Sequence, residues 1–127
     1  MIFQKTDTGA YPPTVEIEPT ASETFVRGEA LVVTAGKATK CGATTKPTLI
    51  CEEDYVAPAT GARSIRAHRV HPYLLYIADA TASIASNAVD SVVTLDTTST
   101  KITATAASGV ATISQKLSDT KAIVRFV

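Results

Sequence analysis

Short apolar runs separated by turn residues dominate the chain from residue 23 onward. Val, Ile and Thr within the runs favour strands, because residues branched at Cβ pack well on a pleated sheet. Gly, Pro, Ser and Asp between the runs mark tight turns. The pattern therefore predicts an all-β fold, a small sandwich or barrel of short antiparallel strands. The predicted strands cover residues 25–33, 38–41, 48–51, 63–71, 73–78, 92–95, 102–106, 110–114 and 122–127.

Three segments within this pattern carry more specific expectations. Residues 34–37 predict a hairpin connection in which Gly36 supplies a positive φ. Leu49-Ile50-Cys51 is apolar at consecutive positions, as expected for a strand that is buried on both faces. Residues 79–90 are rich in Ala, Ser and Thr, and they are compatible with either a loop or one turn of helix.

The first 20 residues predict an extended arm that precedes a β-domain over residues 21–127. Tyr11-Pro12-Pro13 favours polyproline II, because each Pro fixes its own φ. Val15-Glu16-Ile17-Glu18 then alternates apolar and charged residues before Pro19, which predicts one short edge strand. We expect this arm to order on a partner and to be dispensable for the fold. A flexible tail is the alternative.

Composition and charge narrow the class of protein. The 127 residues suit one domain, and an apolar fraction of 45% excludes a wholly disordered chain. Twelve basic and twelve acidic side chains cancel, so bulk charge does not indicate a nucleic-acid partner. The sequence has neither an apolar run long enough for a membrane span nor the apolar run of a signal peptide. We therefore expect synthesis in a cytoplasm.

No arrangement of residues predicts catalysis, a cofactor or a metal site. His68 and His71 are three residues apart, which places them on opposite faces of a regular strand. Glu52-Glu53-Asp54 lacks the ligand spacing of a calcium loop. Cys41 and Cys51 are interpreted as buried thiols, with a cross-strand disulfide as the alternative. The expectation is a protein that is not an enzyme.

Arg63, Arg66 and Arg69 fall within seven residues and form a possible electrostatic interface. Arginine pairs with carboxylates in a planar, bidentate geometry that suits protein interfaces. Nucleic acid is a weaker candidate partner, because the segment lacks a flanking ladder of aromatic residues. The alternative is an exposed strand face that pairs with the acidic residues 52–54.

Residues 73–77 predict a strand that is apolar on both faces. One face can pack against the interior, and the other then needs cover, because a large exposed apolar patch is unusual on a monomer. The loop at 79–90 could provide that cover, and the resemblance described below implies a second copy of the chain as the other candidate. Tyr73, Leu74 and Tyr76 are therefore possible oligomer contacts.

The order of two segments resembles a known family. Gly28-Glu29-Ala30-Leu31-Val32-Val33-Thr34-Ala35-Gly36-Lys37-Ala38-Thr39-Lys40 is followed by Gly42-Ala43-Thr44-Thr45-Lys46-Pro47-Thr48-Leu49-Ile50. This hairpin, loop and apolar strand are similar to those of the small head decoration, or capsid cement, proteins of tailed bacteriophages. Residues 92–95, 102–105, 108–113 and 124–126 also look like the end of those proteins, so the likeness covers roughly residues 22–127.

The resemblance implies a β-barrel or β-tulip, often a homotrimer, that binds the outside of a capsid and clamps neighbouring major capsid protein subunits. It implies that the arm adds to a capsid strand, in agreement with the edge strand predicted above. The contacts would come from Tyr11, Pro12, Pro13, Val15 and Ile17.

The expected partners are the major capsid protein and further copies of the chain, with no nucleic acid and no membrane. The expected location is the capsid exterior of the virion, after synthesis in the bacterial host cytoplasm. Another virion β-module, such as a head-fibre or tail domain, or a host-surface carbohydrate-binding module is the alternative.

Overall fold

The computed structural model describes residues 1–6 and 12–127, and it describes side chains at positions 1, 2 and 12–127. None of the described residues is helical, so none belongs to a helix that could cross a membrane. The described strands are β1 (Ile2–Thr6), β2 (Thr14–Ile17), β3 (Thr24–Phe25), β4 (Ala30–Thr34), β5 (Lys37–Lys40), β6 (Leu49–Cys51), β7 (Tyr55–Val56), β8 (Ile65–Arg69), β9 (Leu74–Asp79), β10 (Val92–Val93), β11 (Ala111–Ser118) and β12 (Lys121–Arg125).

The strands form two five-stranded antiparallel sheets and a two-stranded ribbon. Sheet A has the order β1-β9-β12-β11-β10, sheet B has the order β2-β8-β6-β4-β5, and β3 pairs with β7. The all-β prediction is confirmed, whereas no strand ladder among the described residues closes either sheet into a barrel. Among the described residues, the edges of sheet B meet at an isolated bridge between Pro19 and Ala38, where the amide of Ala38 donates to the carbonyl of Glu18 and the amide of Thr20 donates to the carbonyl of Ala38.

The hairpin between β4 and β5 forms as predicted. Thr34 and Lys37 are paired, and the two residues between them, Ala35 and Gly36, have φ values of 51° and 78°. Two successive positive φ values describe a type I′ turn, whose twist matches that of the flanking strands. The turn therefore sets the register that continues through Leu31 and Lys40.

Sheet B is the middle layer of the molecule, with a hydrophobic core on each face. On one face, Ala30 and Ile50 join the side chains of sheet A in the larger core. On the other face, Leu31 and Leu49 pack with Phe25 of the ribbon in a second core. This two-sided burial confirms the expectation for residues 49–51 and explains why that run lacks a polar position.

The observed strands differ from the predicted ones in several places. Residues 102–106 form no strand, because Ile102 makes only isolated bridges to Ala80 and Leu95. The strand predicted over 110–114 continues past its apolar residues to Ser118, because β12 pairs with residues 112–118 of β11. β1, β3 and β7 were not predicted. Of residues 79–90, Asp79 ends β9 and Ala80 forms an isolated bridge, while residues 81–90 form a loop of bends and turns that Ile84 anchors in the larger core.

The predicted arm over residues 1–20 is corrected by the pairing of its two strands. β1 pairs with β9 in sheet A, and β2 pairs with β8 in sheet B. The amino group of Met1 is buried and donates to the carbonyl of Gly28 at 2.6 Å. Val15 and Ile17 pack against the second core. These strands complete the domain, because the apolar residues that suggested a partner find their partner within the same chain.

Candidate functional site

The residues proposed for capsid binding divide into two groups. Val15 and Ile17 point toward the second core, so they are corrected from capsid contacts to packing residues of this chain. Pro12 is half-buried and Pro13 is exposed, while Tyr11 lies outside the described residues. Because β2 is an edge of sheet B, the backbone on its outer side has no strand partner among the described residues. The edge of β2, rather than its apolar side chains, is available for strand addition.

The arginine segment does not form one continuous cationic strip. The guanidinium of Arg63 pairs with Glu53 at 2.6 Å and lies 4.2 Å from the centre of the Tyr55 ring. Arg66 also binds Glu53, with its Nε at 3.5 Å and its backbone amide at 2.8 Å. The hydrogen bond from Arg63 is the main reason that the pKa of Glu53 lies below its ordinary value. One carboxylate thus balances two of the three arginines.

Arg69 is separate from this pair. It ends β8, and strand alternation places it on the opposite face from Arg66. Its side chain lines a groove of about 450 Å³ together with Lys46 and His71. The structure therefore brings Arg63 and Arg66 together, as the ion-paired alternative predicted, and directs Arg69 elsewhere.

Two of the three predicted oligomer contacts are core residues. Leu74 and Tyr76 are fully buried within the chain, and Tyr76 packs on Phe126 with ring centres 5.7 Å apart. Since a fully buried side chain leaves no surface for a second copy, both are corrected from oligomer contacts to core positions. Tyr73 is half-buried and stacks on His71 at 5.1 Å.

A buried polar network that the sequence did not reveal links the two sheets. His68 of sheet B forms a hydrogen bond through Nε2 with the Tyr76 hydroxyl at 2.9 Å. Its Nδ1 faces the carboxylate of Glu52 at 3.4 Å. Burial raises the pKa of Tyr76 well above its ordinary value and lowers the pKa of His68, which Glu52 partly opposes. A neutral phenol that is completely buried is suited to holding the sheets together and not to attacking a substrate.

The nearest sequence signal for this network is positional. His68 and Tyr76 lie on strands that follow each other along the chain, and Glu52 comes directly after the strand that neighbours β8. However, β8 and β9 belong to different sheets, so a pairing deduced from neighbouring strands would not have brought these side chains together. His71 lies beyond the end of β8 and stacks on Tyr73, so it does not join His68, although the sequence placed both in one strand.

Cys41 and Cys51 are both buried and free. The amide of Cys41 donates to Ala30 on one side of β4, and the amide of Cys51 donates to Glu29 on the other side. Two strand spacings of about 4.8 Å separate such positions, which exceeds the usual distance between the Cα atoms of a disulfide. The structure therefore supports the interpretation as buried thiols, whose pKa values burial raises.

Within residues 1–6 and 12–127, no group of three or more His, Cys, Asp or Glu side chains is arranged to hold a metal ion. No protein-family model, curated protein or solved structure matches the chain.

Proposed function

We propose that the chain is a non-enzymatic structural protein of a tailed bacteriophage, which binds the outer surface of the capsid and stabilises it by clamping neighbouring major capsid protein subunits. The observation that supports the proposal most directly is the unit formed by β4, β5 and β6. The segments that resemble capsid decoration proteins fold into this continuous part of sheet B. The type I′ turn accounts for Gly36 in the resembling hairpin, and burial on both faces of β6 accounts for the apolar strand that follows it.

The exposed edge of β2 is the proposed capsid-binding element. Pro12 and Pro13 precede this strand and the buried Pro19 follows it. Proline cannot donate to a ladder, so the flanking prolines limit strand addition to the four residues of β2. A strand of the major capsid protein would extend sheet B through its backbone, with the exposed side chains of Thr14 and Glu16 at the contact.

A homotrimer is part of the proposal, and the outer face of sheet A provides its contact. The register of β1, β9 and β12 places Ile2, Ile77 and Ile123 side by side. The side chain of Ile2 is 70% exposed and Ile77 is partly exposed, whereas Ile123 is buried. Ile2 and Ile77 lie on a face that does not contribute to either core, and their exposed apolar surface is suited to a subunit contact.

Association with particles tests the proposed function. Particles of the virus that encodes the chain are purified from a lysate on a density gradient. An antibody against the chain then measures the number of its copies per copy of the major capsid protein. We expect a fixed stoichiometry of hundreds of copies and no loss of the protein on extensive washing. A few copies per particle would instead favour a head-fibre or tail module, and complete absence from particles would contradict a virion role.

Stabilisation is measured separately. Purified protein is added to particles from which it has been removed, and the temperature at which DNA becomes accessible to a dye is recorded. We expect this temperature to rise with occupancy. The variant Tyr76→Asp, which introduces a charge into the core, is the control and should neither bind nor stabilise.

A further inference from the structure

The groove lined by Arg69 carries cationic side chains, and none of the described residues that line it is acidic. It lies where the ends of β6 and β8 meet the residue after β12, and its polar lining includes Lys46, Arg69 and His71. Neither the ammonium of Lys46 nor the guanidinium of Arg69 forms an ion pair or hydrogen bond within the described part of the chain. Arg63 and Arg66 differ in this respect, because Glu53 binds both. Like charges that converge without a counter-charge repel each other, and an anion relieves that repulsion.

Backbone pairing between β6 and β8 determines which segments bring these cations to the groove. Leu49 pairs with Arg69, and the amide of Val70 donates to the carbonyl of Thr48 at 3.0 Å, so the ladder between β6 and β8 continues into the groove. Lys46 enters from the loop before β6. The two cations therefore approach the groove from adjacent backbone segments, which are hydrogen-bonded at Thr48 and Val70.

The floor of the groove is apolar. Pro47, Val70 and Phe126 line it, and Phe126 is fully buried behind them. His71 stands at the rim, where its stacking on Tyr73 fixes the ring and an imidazole nitrogen can donate a hydrogen bond. A volume of about 450 Å³ is within the range of clefts that enclose a ligand of a few hundred daltons. A ligand that suits both parts carries a negative group at the rim and an apolar group on the floor.

We propose that this groove binds an acidic peptide segment of the capsid partner, in which a carboxylate lies beside an apolar side chain. The identity of the partner rests on the proposed function, whereas the chemistry of the ligand rests on the groove. Arg69 binds the carboxylate in a bidentate geometry, Lys46 adds a second charge, and the apolar side chain packs on Val70 and Pro47. Nucleic acid is disfavoured, because the chain is neutral overall and the groove offers charge for only one or two phosphates.

The ligand chemistry is tested with two peptides that differ in one group. The probe is acetyl-Ala-Leu-Asp-Leu-Ala-amide, and its control has Asn in place of Asp. Amide NMR shifts of Thr48 and Val70 are followed during titration of the full chain. We expect the Asp peptide to bind with roughly tenfold or greater preference over the Asn peptide, as a charge-assisted hydrogen bond provides.

Matched variants locate the binding. Arg69→Gln should weaken binding of the Asp peptide about tenfold, and Arg63→Gln, which changes the same charge at an ion-paired position, should leave it unchanged. Equal binding of both peptides, or an equal effect of both variants, would overturn the proposal. Tighter binding of inorganic phosphate or of a thymidine oligonucleotide at the same amides would also overturn it.

A particle experiment separates this proposal from the proposed function. The double variant Lys46→Gln, Arg69→Gln is compared with the unmodified protein for binding to stripped particles. Weaker binding of the variant supports the groove as a capsid contact. Equal binding of the variant and the unmodified protein overturns the proposed capsid contact at the groove but leaves the proposed decoration function intact. If the unmodified protein fails to bind particles but binds the Asp peptide, the decoration function is overturned and the carboxylate site is retained.

Discussion

At the scale of single residues, Gly28 shows how one backbone position connects distant parts of the chain. Its φ is +86°, and its carbonyl accepts the amino group of Met1. Its amide donates to the carbonyl of Cys51 at 2.8 Å. Gly28 therefore links the N-terminal residue to the end of β6, and a side chain at this position would interfere with both the conformation and the contact.

We expect Gly28→Ala to be strongly destabilising. A Cβ at Gly28 would lie 2.5 Å from the carbonyl oxygen of Met1, which is backbone and cannot move without displacing β1. The control is Gly36→Ala, which has a similar φ of +78° but no atom within 4 Å of the added Cβ. Gly36→Ala should cost about 1–2 kcal/mol from its left-handed backbone, and Gly28→Ala about 2 kcal/mol more. Urea unfolding measures both, and equal losses would contradict a steric contact at Met1.

His68 predicts a pH dependence of stability. Burial lowers its pKa in the folded state below the ordinary value of 6.5, although Glu52 opposes the shift. As the pH falls below about 6.5, the unfolded chain therefore binds a proton before the folded chain does. Stability is lost between pH 6.5 and the lower folded-state pKa, and it is recovered as the pH rises.

The measurement compares urea midpoints at pH 8 and pH 5 for the unmodified protein and for His68→Gln, which retains hydrogen-bonding capacity. We expect the unmodified protein to lose more stability on acidification than the variant does. Carboxylates that do not contact His68 contribute equally to both proteins, so the difference reports His68 together with its contact to Glu52. The same acid sensitivity in both would show that His68 does not titrate with a lowered pKa.

At the scale of elements, β1 and β2 show how the observed strand pairing differs from the arm that the sequence predicted. The alternation in β2 predicted an edge strand correctly, but it carried no information about which sheet the strand would join. Val15 and Ile17 pair with Ala67 and Ile65, which are far along the chain. The role of these strands therefore changes from a separable arm to a component of both sheets.

We now expect deletion of residues 1–18 to unfold the domain. The deletion removes β1 and β2, takes Met1 from the larger core, and uncovers the edges of β8 and β9. Circular dichroism and the dispersion of amide NMR signals report the outcome. Pro13→Ala, a change at an exposed position that retains both strands, is the control and should remain folded. A folded deletion variant would restore the interpretation of these residues as an arm.

Other elements were predictable where local chemistry determined them. The positive φ at Gly36 and the three apolar residues of β6 each carry their own signal. By contrast, Ile102 is apolar and fully buried without belonging to a strand, so burial alone does not distinguish a strand from a loop that anchors in a core. Arg69 was identified but grouped with Arg63 and Arg66, because the sequence does not show that Glu53 binds only two of the three.

At the scale of the whole molecule, sheet B is enclosed between sheet A and the ribbon of β3 and β7, while sheet A has one outer face. Because of this asymmetry, adjacent residues of β9, the second strand of sheet A, have very different surroundings. Tyr76 points inward to His68, and the neighbouring register position at Ile77 points outward beside Ile2. Substitutions on the inner face of sheet A should therefore affect the fold, and substitutions on its outer face should affect the oligomeric state.

Tyr76→Asp should abolish the fold, because it places a charge in the core and removes the bond to His68. Ile2→Asp, at a side chain that is 70% exposed, should preserve the fold and dissociate the proposed trimer. Circular dichroism and sedimentation velocity distinguish these results. If Ile2→Asp leaves the oligomeric state unchanged, or if the unmodified protein is already a monomer, the outer face of sheet A is not the subunit contact.

The pairing of β1 with β9 and of β2 with β8 also affects how the chain folds during translation. At about 5–20 residues per second, several seconds pass between the synthesis of β2 and that of β8. During that interval the two N-terminal strands have no partners, and pairings between such distant residues form slowly. Glu16 and Glu18 alternate with the apolar residues of β2, and prolines flank it, a pattern that keeps an unpaired strand from associating with other nascent chains. β1 and β2 are therefore made before β9 and β8, and they take their places in the two sheets only after those strands have been synthesised.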